Sequence, residues 1–250
     1  MRRQEGRQRL RRLTWGLAAG SVLTGAVGLG ASPVFDVDAV RIAGAAHTGE
    51  AAVLDAVGVG PGDAMVLVDP RSSANALERL PWVERAQVER DWPGTVVVSV
   101  EERQPALAVP SPDGRFTLVD RGGHELAAVD RPGPGLPVLE GLTVEPRPGS
   151  VLEEARGALD VVAALPASVA GRVSRLAIRP EGVTLALRAG DVAPEQEEPE
   201  EPEAQVVLGQ PTDLGAKVQA LAALLEAADL TDLRTVDLRV PAAPVLTRGP

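Results

Sequence analysis

The chain has 250 residues, enough for one or two modest domains, and 44% of them are hydrophobic, enough to bury a core. Aromatics make up 2% and Tyr is absent, so that core is built from Val, Leu and Ala, while 26 Gly and 22 Pro announce many turns. The absence of Cys excludes disulfides and thiolate metal sites, and a net charge of −10 with a basic head and an acidic body argues against nucleic acid as the main partner.

The positive charge is concentrated at the start, where residues 1–12 carry six Arg against one Glu. The next 23 positions, Leu13 to Phe35, hold no charged residue. A helix needs about 20 apolar residues to cross the hydrocarbon core. Arg11 and Arg12 lie just before this run, and Trp15 falls where amphipathic rings are favoured. The pattern predicts a basic cytoplasmic segment over 1–12, a single transmembrane helix over 13–34 and an exported remainder. That is a single-pass type II topology, with the lipid bilayer engaged through one helix. A cleaved signal peptide is the rival reading, although the run is longer than a usual signal core and no clean Ala-x-Ala site closes it. A buried core helix is the third.

A strand-like run follows from Phe35 through Val37 and Val40, and Gly44 ends it. Thr48 is placed to cap a helix through Val53, Leu54 and Val57 that stops at Gly58. Asp69 would cap a second helix, with Pro70 at its first position, where a missing N–H costs nothing. Ala74, Leu77 and Leu80 then share a face, and Pro81 closes it. Val83 to Arg90 is a strand with Ala86 and Val88 inward. Asp91-Trp92-Pro93-Gly94 is predicted as a type II turn. Thr95 to Glu101 returns, with Val96, Val98 and Val100 on one face and Val97 and Ser99 on the other. The result is a β-α-α-β-β unit. Glu101, Glu102 and Arg103 mark its exit into solvent, and Pro105 stops the strand from simply continuing.

Beyond Gln104 the elements change character. Short strands are expected at 106–109, 116–120, 125–129 and around Val138-Leu139, with turns at Ser111 to Gly114 and Arg121 to Gly123. A helix over about 150–165 carries Leu152, Ala155, Leu159, Val162 and Leu165 on one side. A hairpin joins Val173–Arg179 to Val183–Arg188, and a second helix runs near 212–228. Residues 191–205 contain seven acids and three prolines, which is a solvated insertion that cannot pack. The last predicted strand is Thr235, Val236, Asp237, Leu238, Arg239 and Val240. Val236, Leu238 and Val240 are expected inward, and Asp237 and Arg239 outward. This strand either lies at the sheet edge, where a partner can add a strand, or is internal or blunted by its own charges. The fold class is therefore α+β: one membrane helix, the β-α-α-β-β unit, then a mostly antiparallel β domain backed by two helices.

The sequence carries no motif of an enzyme. His47 and His124 lack metal-ligand spacing. Ser72 and Ser73 open a helix and do not sit on a nucleophile elbow. Gly58 to Gly62 lacks the Lys-Ser/Thr of a phosphate loop. No catalytic residue, cofactor or metal is expected.

Several motifs together carry a resemblance. They are Phe35-x-Val37 with Val40, Ile42 and Gly44; Arg90-x-Trp92-Pro93-x-Thr95-Val96-x-Val98-x-Val100-x-Glu102-Arg103-x-Pro105; Phe116-x-Leu118-Val119-Asp120-x-x-Gly123; and Val236-Asp237-Leu238-Arg239. With the basic head and apolar run before them, these resemble the bacterial cell-division family FtsQ, also called DivIB, in its high-GC Gram-positive form. The resemblance implies a polypeptide-transport-associated (POTRA) domain over 35–104, with Trp92, Pro93, Glu102 and Arg103 structural in its hairpin. It implies the family's β domain over 105–248. It also implies a non-enzymatic divisome scaffold at the septum. Such a scaffold binds FtsB-like and FtsL-like proteins, acts through them on the septal peptidoglycan synthase complex, and receives an FtsB strand along the positions matching Thr235 to Val240. The alternative is an exported POTRA protein of translocation or envelope assembly. The region after Gln104 lacks the long series of alternating strands that a membrane barrel would need.

Overall fold

The computed structural model describes residues 35–188, 203–210, 212–227 and 233–248, and the chain divides between Glu102 and Arg103 into two compact units. The first unit has the order β1 (Ala39–Ala43), α1 (Glu50–Val57), a 3-10 turn (Met65–Leu67), α2 (Pro70–Leu77), β2 (Val83–Asp91) and β3 (Thr95–Glu102). Its sheet order is β1-β3-β2, with β1 parallel and β2 antiparallel to β3. This is the β-α-α-β-β arrangement expected from the sequence. Alternation along β3 does what the pattern requires. Val96, Val98 and Val100 are buried with Ala86 and Val88 of β2, and Val53, Val57 and Leu77 of the two helices complete the core.

Local chemistry explains the helix starts. Asp69 accepts from the N–H groups of Arg71 and Ser72, and Pro70 occupies the first turn of α2, as expected. The start of α1 differs from expectation. Gly49 holds the cap position and no side chain caps it, because Glu102 takes the Thr48 hydroxyl. The turn before β3 also differs. Trp92–Pro93 is a cis peptide, and Gly94 does not take the positive φ that a type II turn requires. Gly94 is needed for close approach instead, since a Cβ there would lie 2.2 Å from Asp38 Oδ2.

The second unit is built on one sheet of nine strands, in the order β12-β11-β10-β9-β8-β7-β4-β5-β6. The strands are β4 (Pro105–Pro110), β5 (Phe116–Asp120), β6 (Glu125–Val129), β7 (Val138–Glu140), β8 (Val173–Arg179), β9 (Gly182–Arg188), β10 (Glu203–Gly209), β11 (Leu233–Asp237) and β12 (Val245–Arg248). Five of the eight pairings are antiparallel, and β4–β7, β7–β8 and β10–β11 are parallel. Helices α3 (Arg156–Ala164) and α5 (Leu214–Ala227), with the single turn α4 (Ala167–Ala170) between them, cover one face. Leu159, Val161, Val218 and Leu221 from the helices meet Leu176, Leu185, Leu187, Val206 and Val236 from the strands. Residues Glu203 to Gln205, expected to belong to the unpacked acidic insertion, open β10 and pair with β9. Residues 191–202 lie outside the described residues.

The fold class needs one correction. Among the described residues no helix is long and apolar enough to cross a membrane. Helix α5, the longest of them, has 14 residues, about 21 Å at 1.5 Å per residue, short of a hydrocarbon core about 30 Å thick. The described fold is α+β without a spanning helix. The single-pass type II localisation built on such a helix is withdrawn with it. The expected span at 13–34, with Arg11, Arg12 and Trp15, lies outside the described residues.

Candidate functional site

The end of the sheet formed by β10, β11 and β12 gathers the C-terminal residues singled out in the sequence. β11 pairs in parallel with β10 through Gln205–Thr235, Val206–Val236 and Val207–Asp237. On its other side it pairs antiparallel with β12 through Thr235–Thr247, Val236–Leu246 and Asp237–Val245. Thr235, Val236 and Asp237 therefore sit one strand in from the edge, and β12 holds the edge itself. All four residues of β12 are exposed, with Val245 at 61% and Leu246 at 38%. Val236 and Leu238 are buried as expected, and the Leu238 N–H donates to Val207 O at 2.8 Å. Val240 lies past the strand end and is 59% exposed, whereas alternation had placed it inward.

Asp237 and Arg239 face outward but answer to each other. Arg239 Nε lies 2.9 Å and Nη2 lies 2.5 Å from Asp237 Oδ2, and the Arg239 backbone N–H donates to Oδ1 at 3.0 Å. The Arg239 side chain, and then its backbone N–H, hold the Asp237 carboxyl below the ordinary carboxylate range. The stem of Arg239 lies across Gly209, where a Cβ would be 2.8 Å from Arg239 Cγ. Gly209 in turn leaves room for Gly182, since a Cβ on Gly182 would lie 2.1 Å from the Gly209 carbonyl carbon. Two glycines and one arginine thus close the turn into which β11 delivers its last residues.

The other singled-out residues are placed within their own units. In the first, Glu102 accepts from the N–H groups of His47 and Thr48, at 2.9 and 2.7 Å, and the His47 ring stacks on Trp82 at 4.3 Å. Phe35 meets Trp92 edge-on, beside Pro93. In the second, Arg103 Nη1 donates to Asp120 Oδ2 at 2.9 Å and lies 3.1 Å from His124 Nδ1. Neither histidine belongs to a metal cluster. Among the described residues no group of three or more His, Asp or Glu could hold a metal ion.

A shallow groove of about 260 Å³ lies on the second sheet between Glu140, Arg175, Arg179 and Glu203. Its charges neutralise one another. Arg175 pairs with Glu203 and reaches Glu140 at 3.7 Å, and Arg179 reaches Glu140 at 3.5 Å. Nothing here resembles an acid–base pair poised for chemistry. What the C-terminal end offers is an open strand edge with exposed apolar side chains.

Comparison with known proteins covers both units. Residues 35–103 match the family described as POTRA domain, FtsQ-type, and residues 108–239 match that described as cell division protein FtsQ/DivIB, C-terminal. The chain belongs to the FtsQ/DivIB family. Similar proteins named cell division protein FtsQ include one from Mycolicibacterium smegmatis, 35% identical over 67% of this chain and 49% of its own length. A second, from Salinibacter ruber, is 35% identical over 52% of this chain and 51% of its own. A third, from Streptomyces griseus, is 31% identical over 74% of this chain and 84% of its own. The chain thus spans about half the length of the first two relatives. The match to the FtsQ/DivIB C-terminal family ends at Arg239, before β12. That strand was missed in the sequence because four residues between Pro244 and the C-terminus show no alternation. Only the β-prone trio Val245-Leu246-Thr247 marks it.

Proposed function

We propose that this protein is a divisome scaffold that binds an FtsB-like partner, and with it an FtsL-like one, by accepting a strand along the β12 edge. Through them it would influence septal peptidoglycan synthesis. The observation that carries this is the edge itself. Among the described residues β12 has one neighbour, leaves its outer row of backbone groups open and shows Val245 and Leu246 to solvent. An added strand would gain main-chain hydrogen bonds there, with apolar side chains lending affinity and register. Thr235 to Asp237 pair with that edge from behind, and Arg239 is bound to Asp237 just past the strand end. The high-GC Gram-positive form of the family is favoured by the Streptomyces griseus relative, which is matched over most of both chains. Hydrogen exchange on the full chain tests the reading. Adding the extracytoplasmic segment of the cell's own FtsB-like protein should slow exchange at Val245 to Arg248. Saturable binding that leaves those amides unprotected would refute strand addition at this edge.

A further inference from the structure

The chain has two histidines, and their rings sit in opposite chemical environments. His47 Nδ1 lies 2.9 Å from Glu102 Oε2, and its ring stacks on Trp82. A carboxylate only accepts, so this Nδ1 carries a hydrogen whether the imidazole is neutral or charged. A proton added to His47 goes to Nε2 and breaks neither contact.

His124 is placed the other way. Its Nδ1 lies 3.1 Å from Arg103 Nη1. A guanidinium only donates, so this Nδ1 is a bare acceptor and the hydrogen of the neutral ring sits on Nε2. The next proton can enter only at Nδ1, on the lone pair that Arg103 already occupies. Protonation of His124 and its contact with Arg103 therefore exclude each other.

The charges around the ring sharpen that conflict. Asp120 Oδ1 accepts from the N–H groups of Gly122 and His124, Oδ2 accepts from Arg103, and both oxygens lie 3.3 Å from His124 Nδ1. Burial pushes the Asp120 carboxyl up, but the His124 N–H and the Arg103 guanidinium outweigh it and hold it below the ordinary carboxylate range. It stays charged where an imidazole changes charge. An imidazolium here would share that one carboxylate with a guanidinium 3.1 Å away, and like charges that close repel. Among the described residues Arg103 and Asp120 are the charged groups bonded to the ring. Arg121 is exposed, Glu125 is turned to the Arg147 N–H and the Ser150 hydroxyl, and Glu153 pairs with Arg156.

The ring is the freer of the two cations, with its side chain 33% exposed against 16% for Arg103. The turn that carries it also fastens a strap. His124 bridges Val151, the Leu152 N–H donates to Gly123 O at 2.8 Å, and the Glu125 N–H donates to Ser150 O at 2.9 Å. Ser150 to Leu152 are thereby held against the start of β6.

We propose that His124 is a proton-operated switch on the turn between β5 and β6. With the ring neutral, Nδ1 accepts from Arg103, and the turn is closed on Asp120 and on the strap. With the ring charged, the imidazolium swings out from beside Arg103, and the turn and the strap loosen. The device is separate from the strand edge at β12.

NMR of the ring nitrogens in the full-length protein, isotopically labelled in histidine, reads both rings, and His47→Gln assigns them. Above neutral pH, His124 should show a bare Nδ1 and a protonated Nε2, and His47 a protonated Nδ1. Between about pH 8 and 5, where imidazoles titrate, the Arg103 guanidinium signals should move with the His124 titration. Arg103→Lys assigns those signals. Over the same range, hydrogen-exchange protection of the Gly122, His124 and Leu152 amides should fall by about threefold or more. His124→Gln should abolish the response. If that variant does not fold, the tautomer and the shared midpoint in the unaltered protein still decide. A hydrogen on Nδ1 of the neutral His124 ring would overturn the proposal. So would a His124 titration that leaves Arg103 and the three amides unmoved, a folded His124→Gln protein that keeps the pH response, or a ring that gains no proton before the protein unfolds.

Discussion

Thr48 and Glu102 are joined twice across 54 positions: the Thr48 N–H donates to Glu102 Oε1 at 2.7 Å and the Thr48 hydroxyl donates to the same oxygen at 2.8 Å. The His47 N–H adds a third donor. The carboxylate ending β3 thus fixes the loop into α1, where no side chain caps the helix. Burial pushes the Glu102 carboxyl up, but the donors from Thr48 and His47 outweigh it and bring the pKa down from 4.5 to about 2. A group with a depressed folded pKa stabilises above its unfolded pKa and loses that contribution as pH falls through its folded one. Stability of the first unit should therefore decline between about pH 4.5 and 2, and Glu102→Gln should remove that slope. At neutral pH the substitution should cost on the order of 2 kcal/mol. Urea titrations at pH 7 and pH 3 read both effects, and a variant with an unchanged slope would show that Glu102 is not the titrating group.

Arg103 performs the matching task in the second unit. Its guanidinium meets Asp120, and both side chains are largely buried. Asp120 also accepts from the N–H groups of Gly122 and His124, both at 2.8 Å, and so shapes the turn between β5 and β6. Removing one member of a buried pair leaves the other uncompensated, which costs about 3–5 kcal/mol. Asp120→Ala and Arg103→Ala should each destabilise the second unit by roughly that range at its lower end. The double variant should fall well short of the sum of the two. Additive losses in chemical denaturation would show that the two side chains act independently.

Gly44 and Gly114 take nearly the same left-handed conformation, at φ 86° and 82°, but in different surroundings. A Cβ on Gly44 would fall 1.9 Å from Val100 O, whereas one on Gly114 would meet nothing within 4 Å. Gly114→Ala should cost about 1 kcal/mol, the conformational term alone. Gly44→Ala forces β1 away from β3 and should cost at least about 3 kcal/mol or prevent folding of the first unit. Equal melting shifts for the two would mean that the β1–β3 contact yields easily.

Features with local causes were legible in the sequence, and features with distant causes were not. The alternation of Val96, Val98 and Val100 was legible because one face of β3 meets the core. The Asp69-Pro70 start of α2 was legible because a cap needs only its own neighbours. Thr48 was misassigned because its hydroxyl is claimed from 54 positions away. The partner edge was placed at Thr235 to Val240 because that run alternates. β12, exposed along its whole length, has no buried face to impose a period. Asp237 and Arg239 were correctly set outward, but a period of two could not reveal that residues two apart would pair with each other across the end of the strand.

That difference changes which substitution tests partner binding. Leu238 is fully buried and its N–H is spent on Val207 O, so Leu238→Pro should disrupt the sheet and lower the melting temperature, leaving its binding result uninformative. Thr247→Pro and Leu246→Pro lie on the exposed edge strand, where successive N–H groups point alternately toward β11 and away from it, so one of the two losses costs the isolated protein little. At least one of the two should leave circular dichroism and melting temperature near those of the wild type. It should also weaken binding of the extracytoplasmic FtsB-like segment by tenfold or more, about 1.4 kcal/mol. Arg239→Ala should change that affinity far less, because its guanidinium is committed to Asp237. Calorimetric titration of the full-length variants gives all three values. Undiminished affinity in both folded edge variants would place the partner elsewhere on the protein, and a large loss in Arg239→Ala alone would make the charge pair, not the strand edge, the contact that matters.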